Sequence, residues 1–185
     1  MNIEHLTKPL VEGLVYAPIY KKGSLMNSGK PATGKNPFEE SYDREFGPAD
    51  VAVALRKNPD LQAIGLFTGI RGKGIGILDV DKNLKKLLKV WGNTLENAPR
   101  VTSPKKNAAK FIFHIPENLW GEVKGHGLRE EYGGEYEILW NNSRQGVITG
   151  SYPGHSRSKT PEGHYLLTGD LNAIPEAPAC LIAEM

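Results

Sequence analysis

Residues 74–81, Gly74-Ile75-Gly76-Ile77-Leu78-Asp79-Val80-Asp81, decide how this chain folds. A short apolar run that is rich in isoleucine and valine and bounded by glycine is typical of a mostly buried β-strand. Because side chains alternate between the two faces of a strand, Asp79 and Asp81 are expected to share one face at its carboxyl end. The strand therefore brings two carboxylates close together.

The pair Asp79 and Asp81 predicts a divalent-metal site. Two carboxylates at this spacing repel each other unless a positive charge lies between them. Carboxylate oxygens suit Mg²⁺ and Mn²⁺, which proteins usually hold with one or two carboxylates and the phosphates of a substrate. The alternative is that Asp81 caps the following helix while Asp79 is solvated at the end of the strand.

Length and composition indicate an ordinary globular protein. The 185 residues suffice for one domain with a substantial core, and we expect a single domain over residues 1–185. The net charge of +2 is too small to indicate a nucleic-acid-binding protein by itself. Cys180 is the only cysteine, which excludes an internal disulfide and fits a reducing compartment. With no export signal and no apolar run long enough for a membrane span, we expect a soluble, cytoplasmic protein.

The other patterns predict an α+β fold with a mixed, largely antiparallel sheet. Strands are expected near residues 10–20, 62–68, 100–103, 110–115, 135–140, 145–149 and 163–167. Helices are expected from Pro48, directly after Asp81 and from Pro178, and Gly92 is expected to end the second of them. Residues 23–37 form an irregular loop, either a phosphate-contacting flap or a plain surface loop.

The connection between the second predicted strand and the aspartate strand is short and rich in glycine. It consists of Gly69-Ile70-Arg71-Gly72-Lys73-Gly74, which is too short for a helical crossover. The two strands are therefore expected to form an antiparallel hairpin with a basic tip. The glycines do not form a P-loop, because their spacing does not fit and no helix follows them.

Six short motifs follow one another in an order that resembles a known family. They are Ile64–Gly69, Ile77–Asp81, Arg100–Ser103, Tyr136–Ile138, Gln145–Ser151 and Gly163–Tyr165. Over roughly residues 10–175, this order resembles the N-terminal primase-polymerase domain of the archaeo-eukaryotic primase superfamily. The similarity is to the type attached to helicases in phage and plasmid replication proteins. The order carries the resemblance, since each motif alone is short and common.

The resemblance implies a template-dependent nucleotidyltransferase, a DNA primase or DNA polymerase, built on an RNA-recognition-like sheet with flanking helices. It implies Asp79, Asp81 and Glu137 as the catalytic carboxylates and as ligands of Mg²⁺ or Mn²⁺. In nucleotidyl transfer, two metal ions stabilise the attacking oxygen and the leaving pyrophosphate. The implied partners are a single-stranded DNA template with its primer, a dNTP or NTP, and a helicase domain on the C-terminal side.

Candidate nucleotide-binding groups are basic and polar side chains expected near the three acids. The basic candidates on turns and strand starts are Arg71, Lys73, Lys105, Lys106 and Lys110, while Ser103, Ser151 and His155 occupy positions that resemble family motifs. Tyr152, Tyr165 and Trp140 are candidates for stacking template bases or for the core. His114 shares a face with Lys110 if the strand has no bulge, with a catalytic or a packing role.

Lys110 departs from the family pattern, which usually has a histidine at this position. A lysine still binds phosphate as a point charge, so nucleotide binding is compatible with the change, whereas catalysis is open. One alternative is therefore an inactive relative that binds nucleotide or single-stranded nucleic acid. Another is a metal-dependent nuclease with the same acids, because hydrolysis needs a similar metal clamp.

Overall fold

A computed structural model describes residues 2–156 and 159–185 of the chain. Within these residues the chain forms an α+β fold, as predicted, with five α-helices and one antiparallel sheet of nine strands. The helices are α1 (Ile3–Thr7), α2 (Glu40–Asp43), α3 (Pro48–Lys57), α4 (Leu84–Leu95) and α5 (Ala179–Ala183). The strands are β1 (Tyr16–Tyr20), β2 (Leu61–Phe67), β3 (Ile75–Lys82), β4 (Arg100–Thr102), β5 (Ala109–His114), β6 (His126–Glu131), β7 (Gly134–Leu139), β8 (Gln145–Tyr152) and β9 (Gly163–Thr168).

The aspartate strand β3 lies inside the sheet, whose strand order is β1-β2-β8-β9-β4-β5-β3-β7-β6. Strand β5 pairs with one edge of β3 and strand β7 with the other. In this register Asp79 is directly opposite Lys110 on β5 and Glu137 on β7. The sheet therefore sets a lysine and a second acid on either side of Asp79.

The predicted hairpin between β2 and β3 is wrong. Strand β2 pairs with β1 and β8 instead, and Gly69, in the turn after β2, forms an isolated bridge with Ile75 of β3. The connection folds into a compact turn in which the Gly74 amide donates to the Gly69 carbonyl at 3.0 Å, and both glycines have positive φ. This turn redirects the chain, so that two strands buried on both faces each find partners from distant parts of the sequence.

Each face of the sheet carries its own apolar cluster. Ile75 and Ile77 of β3 belong to the cluster that includes α3, whereas Leu78 and Val80 point into the cluster beneath α4. The alternation predicted for β3 is therefore confirmed, and Asp79 and Asp81 continue the face of Ile75 and Ile77. The two acids lie where an apolar core ends and a polar cavity begins.

Helix α4 follows β3 closely, as predicted, but Gly92 does not end it. The helix continues to Leu95, because Trp91 and Leu95 are both buried against the same cluster. Its N-cap residue is Asn83, so Asp81 does not cap it. The lysines of this helix face solvent.

The sequence patterns did not predict β6, an edge strand that pairs with β7. Its burial shows no strict alternation, since most of its side chains are exposed at the end of the sheet. At the C-terminus, the helix expected from Pro178 is present as α5. None of the helices in the described part of the chain has the length and apolarity needed to cross a membrane.

Candidate functional site

Three carboxylates on the open face of β3 and β7 line one cavity. They belong to Asp79, Asp81 and Glu137, as the sequence analysis expected. The side chain of Asp79 is 14% exposed and that of Asp81 is 37% exposed, so neither is a freely solvated strand-end group. Strand pairing fixes their relation, because Glu137 is the cross-strand neighbour of Asp79 and Asp81 follows two residues along β3.

Each carboxylate has a basic partner. The ammonium group of Lys110 donates to Oδ2 of Asp79, and that of Lys105 donates to Oδ1 of Asp81. Nη1 of Arg144 lies 3.1 Å from Oε2 of Glu137. The acids therefore carry their own counterions, which removes much of the repulsion expected between neighbouring carboxylates.

Burial and like charge perturb two groups of the cavity. Burial raises the pKa of Glu137 above its ordinary value, and the Asp79 carboxylate raises it further, while Arg144 and then Lys110 act in the opposite direction. Burial, followed by the charge of Asp79, also raises the pKa of the Tyr165 phenol. Tyr165 therefore keeps its proton at neutral pH and remains a hydrogen-bond donor.

The carboxylates fit a divalent cation in donor chemistry, since hard oxygen ligands suit Mg²⁺ and Mn²⁺. Among residues 2–156 and 159–185, however, no group of three or more His, Cys, Asp or Glu side chains is drawn together as metal ligands. In this arrangement Lys110 and Lys105 each form an ion pair with one of the aspartates. A cation bound by these carboxylates would compete with the ammonium groups for the aspartate oxygens.

Several predicted nucleotide-binding residues do surround the acids. Ser103, Lys105, Lys110 and His155 line the same cavity. The Oγ atom of Ser103 accepts a hydrogen bond from the Lys105 amide at 3.3 Å, which shapes the turn after β4. Lys106 lines an adjoining depression, which shares Asp81, Lys105 and His155 with the cavity.

Arg71 and Lys73 are not brought to the acids, contrary to the expectation that their turn adjoins the site. The Arg71 guanidinium lies over the ring of Phe67 at 4.3 Å and donates to the Ser41 carbonyl. Lys73 forms an ion pair with Glu45 at 2.8 Å. Because β2 and β3 do not form a hairpin, the Gly69–Gly74 turn packs against the α2 region and not beside the acids.

Ser151 also points away from the acids. It pairs with His164 in the β8–β9 ladder, and its hydroxyl lies 3.4 Å from Oε1 of Gln62. The neighbouring Tyr152 instead lines the cavity together with Tyr165, and their rings meet edge to face at 5.2 Å. Strand alternation explains the difference, because adjacent residues face opposite sides of the sheet.

Two further candidates, Trp140 and His114, do not line the cavity. Trp140 is buried in the cluster beneath α4, on the other side of the sheet. His114 shares the face of Lys110, because the β3–β5 register has no bulge. It lies four residues, or two periods of the strand alternation, further along β5, opposite Ile75 and away from Asp79.

Sequence reasoning missed Lys35 and Arg144 as residues of the site. Lys35 lines the cavity from the 23–37 loop, which is held by two hydrogen bonds at 3.0 Å: Gln145 Nε2 donates to the Lys35 carbonyl, and the Tyr20 amide donates to the Asn36 carbonyl. The flap interpretation of the loop was the available signal. Arg144 lies in the β7–β8 turn. A basic residue seven positions after Glu137 was the signal that could have suggested an ion-pair partner for that acid.

The chain matches no protein-family model. No curated protein is significantly similar to it in sequence. Its function is therefore inferred from the chemistry of the cavity.

Proposed function

We propose that this chain is a template-dependent nucleotidyltransferase of the primase-polymerase type, acting in DNA replication. The observation that carries the proposal is that Asp79, Asp81 and Glu137 line one cavity together with Lys35, Lys105 and Lys110. Paired carboxylates for a divalent cation and adjacent ammonium groups for phosphates are the two requirements of nucleotidyl transfer. The proposed substrates are a dNTP or NTP and a primer on single-stranded DNA.

The basic residues of the cavity would bind and orient the triphosphate. Lys35, Lys105 and Lys110 act as point charges for its oxygens, and Ser103 adds a hydroxyl at the same wall. When bound by the three carboxylates, Mg²⁺ or Mn²⁺ supplies neutralisation of the charge that develops on the reacting phosphate. The Tyr165 phenol remains a donor at the base of the cavity.

The adjoining depression supports a place for nucleic acid. It is lined by four lysines and by apolar groups such as Leu128 and Pro161. The lysines are Lys82, which pairs with Glu135, Lys105, which pairs with Asp81, and Lys106 and Lys159. Lysines bind the phosphate backbone without sequence preference. Asp81 lines both the depression and the cavity, so the two adjoin. This arrangement suits nucleotidyl transfer, in which the primer terminus must lie beside the bound nucleotide. A helicase partner and a cytoplasmic location belong to the same proposal.

Primer extension tests the proposal. A labelled primer on single-stranded DNA is incubated with nucleotides and Mg²⁺ or Mn²⁺, and product length is measured on a denaturing gel. We expect metal-dependent lengthening that is lost in Asp79→Ala and Asp81→Ala and kept in Asp43→Asn, an exposed aspartate on α2. Shortening of the primer in the wild type would instead favour the nuclease alternative.

A second candidate function is a nucleotide-binding or single-strand-binding module without catalysis. The observation that favours it is the Lys110–Asp79 ion pair, which occupies a carboxylate that a metal ion needs. Nucleotide binding by calorimetry with no extension under any metal would support this candidate. Extension by the wild type would reject it.

A further inference from the structure

Two half-buried lysines occupy the carboxylates of the candidate metal site. Lys110 is 16% exposed and its partner Asp79 14%, while Lys105 is 22% exposed and its partner Asp81 37%. These pairs are more enclosed than the Lys73–Glu45 pair, in which both side chains are about half exposed. Screening by water is weaker in such enclosed pairs, so they hold together more firmly than surface pairs.

The position of Lys110 is set by the sheet backbone, and that of Lys105 by a hydrogen-bonded turn. Lys110 is the direct cross-strand neighbour of Asp79 in a regular part of the β3–β5 ladder. Lys105 lies two residues after Ser103, whose hydroxyl oxygen accepts a hydrogen bond from the Lys105 amide. This hydrogen bond holds the turn that places Lys105 next to Asp81. The ammonium groups are thus built into the site at the places where a cation would bind.

We propose that Lys110 and Lys105 are internal counterions that a divalent metal ion must displace, and that their displacement makes them available to a polyphosphate. The inference rests on the proposed function for the identity of the two ligands. Metal binding at the carboxylates leaves each displaced ammonium group in the cavity without its anion, and phosphate oxygens are its natural replacement. Metal and polyphosphate then bind with positive coupling, because each releases the partner that the other needs.

Displacement predicts that removing Lys110 strengthens metal binding. Mn²⁺ alone is titrated into the metal-free protein, and its Kd is measured by calorimetry or by the electron paramagnetic resonance signal of free Mn²⁺. Lys110→Met keeps the aliphatic stem and is expected to tighten Mn²⁺ binding about tenfold, the scale at which a contacting opposite charge acts on an enclosed carboxylate. Lys110→Arg retains the competing charge and is expected to stay close to the wild type.

Lys35→Met is the matched control. It removes a positive charge from the same cavity but frees no carboxylate, since none of the ion pairs in the described ranges 2–156 and 159–185 involves Lys35. A general electrostatic effect would change the Mn²⁺ affinity equally in Lys35→Met and Lys110→Met. Direct displacement gives a clearly larger gain in Lys110→Met. Thermal melting checks that each variant is folded.

The converse experiment uses polyphosphate without metal. Inorganic tripolyphosphate is titrated in the presence of EDTA, where the wild type is expected to bind weakly because its lysines are occupied. Asp79→Asn releases Lys110 and is expected to bind tripolyphosphate severalfold more tightly. That gain should disappear in the double variant Asp79→Asn/Lys110→Met, since a double-mutant cycle isolates the pair.

These outcomes are independent of catalysis. Unchanged Mn²⁺ affinity in Lys110→Met, or a gain equal to that of Lys35→Met, overturns the inference even if the wild type extends primers. Displacement by Mn²⁺ without primer extension supports the inference and rejects the polymerase proposal.

Discussion

Gly146 of β8 packs directly on Ile77 of β3, just beneath the acids. A Cβ atom at position 146 would lie 2.7 Å from Cδ1 of Ile77 and 3.6 Å from Cδ1 of Leu139. Both Gly146 and Ile77 are buried, so neither side can give way into solvent. Overpacking of this kind costs about 1–3 kcal/mol, and we expect this loss in the free energy of unfolding of Gly146→Ala.

Ile77→Val removes the methyl group that the new Cβ meets. Alone it is expected to cost about 0.5–1.5 kcal/mol, because it leaves a small cavity. In the double variant the clash is relieved, so the combined loss should fall short of the sum of the single losses by about 1 kcal/mol or more. Equilibrium urea unfolding measures all three variants, and each 1 kcal/mol corresponds to roughly 2–4 °C in Tm for a chain of this size.

Gly92→Ala is the matched control. Gly92 lies inside α4, where an added Cβ would have no atom within 4 Å apart from its chain neighbours and the backbone of the helix itself, and alanine favours a helix over glycine. This variant is expected to gain about 0.5–1 kcal/mol. A neutral Gly146→Ala, or losses that simply add in the double variant, would refute the packing of β8 on β3.

Two further predictions concern charges. Burial and the Asp79 carboxylate raise the pKa of Glu137 in the folded state, so the native protein binds this proton more tightly than the unfolded chain does. The contribution of Glu137 to stability is therefore present at low pH and is lost as the pH rises through its raised pKa. The stability of Glu137→Gln relative to the wild type, measured by urea midpoints between about pH 4 and pH 7, should therefore increase as the pH rises. Parallel curves would contradict the raised pKa of Glu137. Lys73→Ala should change stability by less than about 0.5 kcal/mol and leave tripolyphosphate binding in Mn²⁺ unchanged, because Lys73 is paired with Glu45 at the surface. A clear loss of tripolyphosphate binding in Lys73→Ala, of the kind expected for Lys105→Met, would show that Lys73 belongs to the site.

The local patterns were sufficient for β3 and for the helix that follows it. Alternation along residues 75–82 correctly assigned Asp79 and Asp81 to one face, and the spacing of Leu84, Leu87 and Trp91 correctly predicted the buried side of α4. These predictions succeed because strand and helix periods are properties of the local chain. The predicted end of α4 at Gly92 was wrong, because the burial of Leu95 outweighs the tendency of glycine to end a helix.

Strand pairing could not be deduced in the same way. The short Gly69–Gly74 connection favoured a hairpin, but the partners of β2 and β3 come from distant segments, and no local pattern encodes that choice. The errors at Arg71 and Lys73 follow directly from it. Arg144 and Lys35 had weak signals in the sequence, a basic turn residue near Glu137 and a loop that could act as a flap, but their proximity to the acids is a property of the assembled sheet.

The place of β3 between β5 and β7 has a consequence for synthesis of the chain on the ribosome. Asp79 emerges well before its partner Lys110, which is 31 residues away, and Glu137 emerges later still. Strand β2 likewise waits for β8, the second-to-last strand. Such long-range pairing is typical of slow folding. One edge of β3 remains unpaired until β7 is synthesised, and one edge of β2 until β8 is synthesised. Each acid is therefore synthesised before its basic partner and before the cavity exists. The site forms only when nearly the whole sheet has assembled.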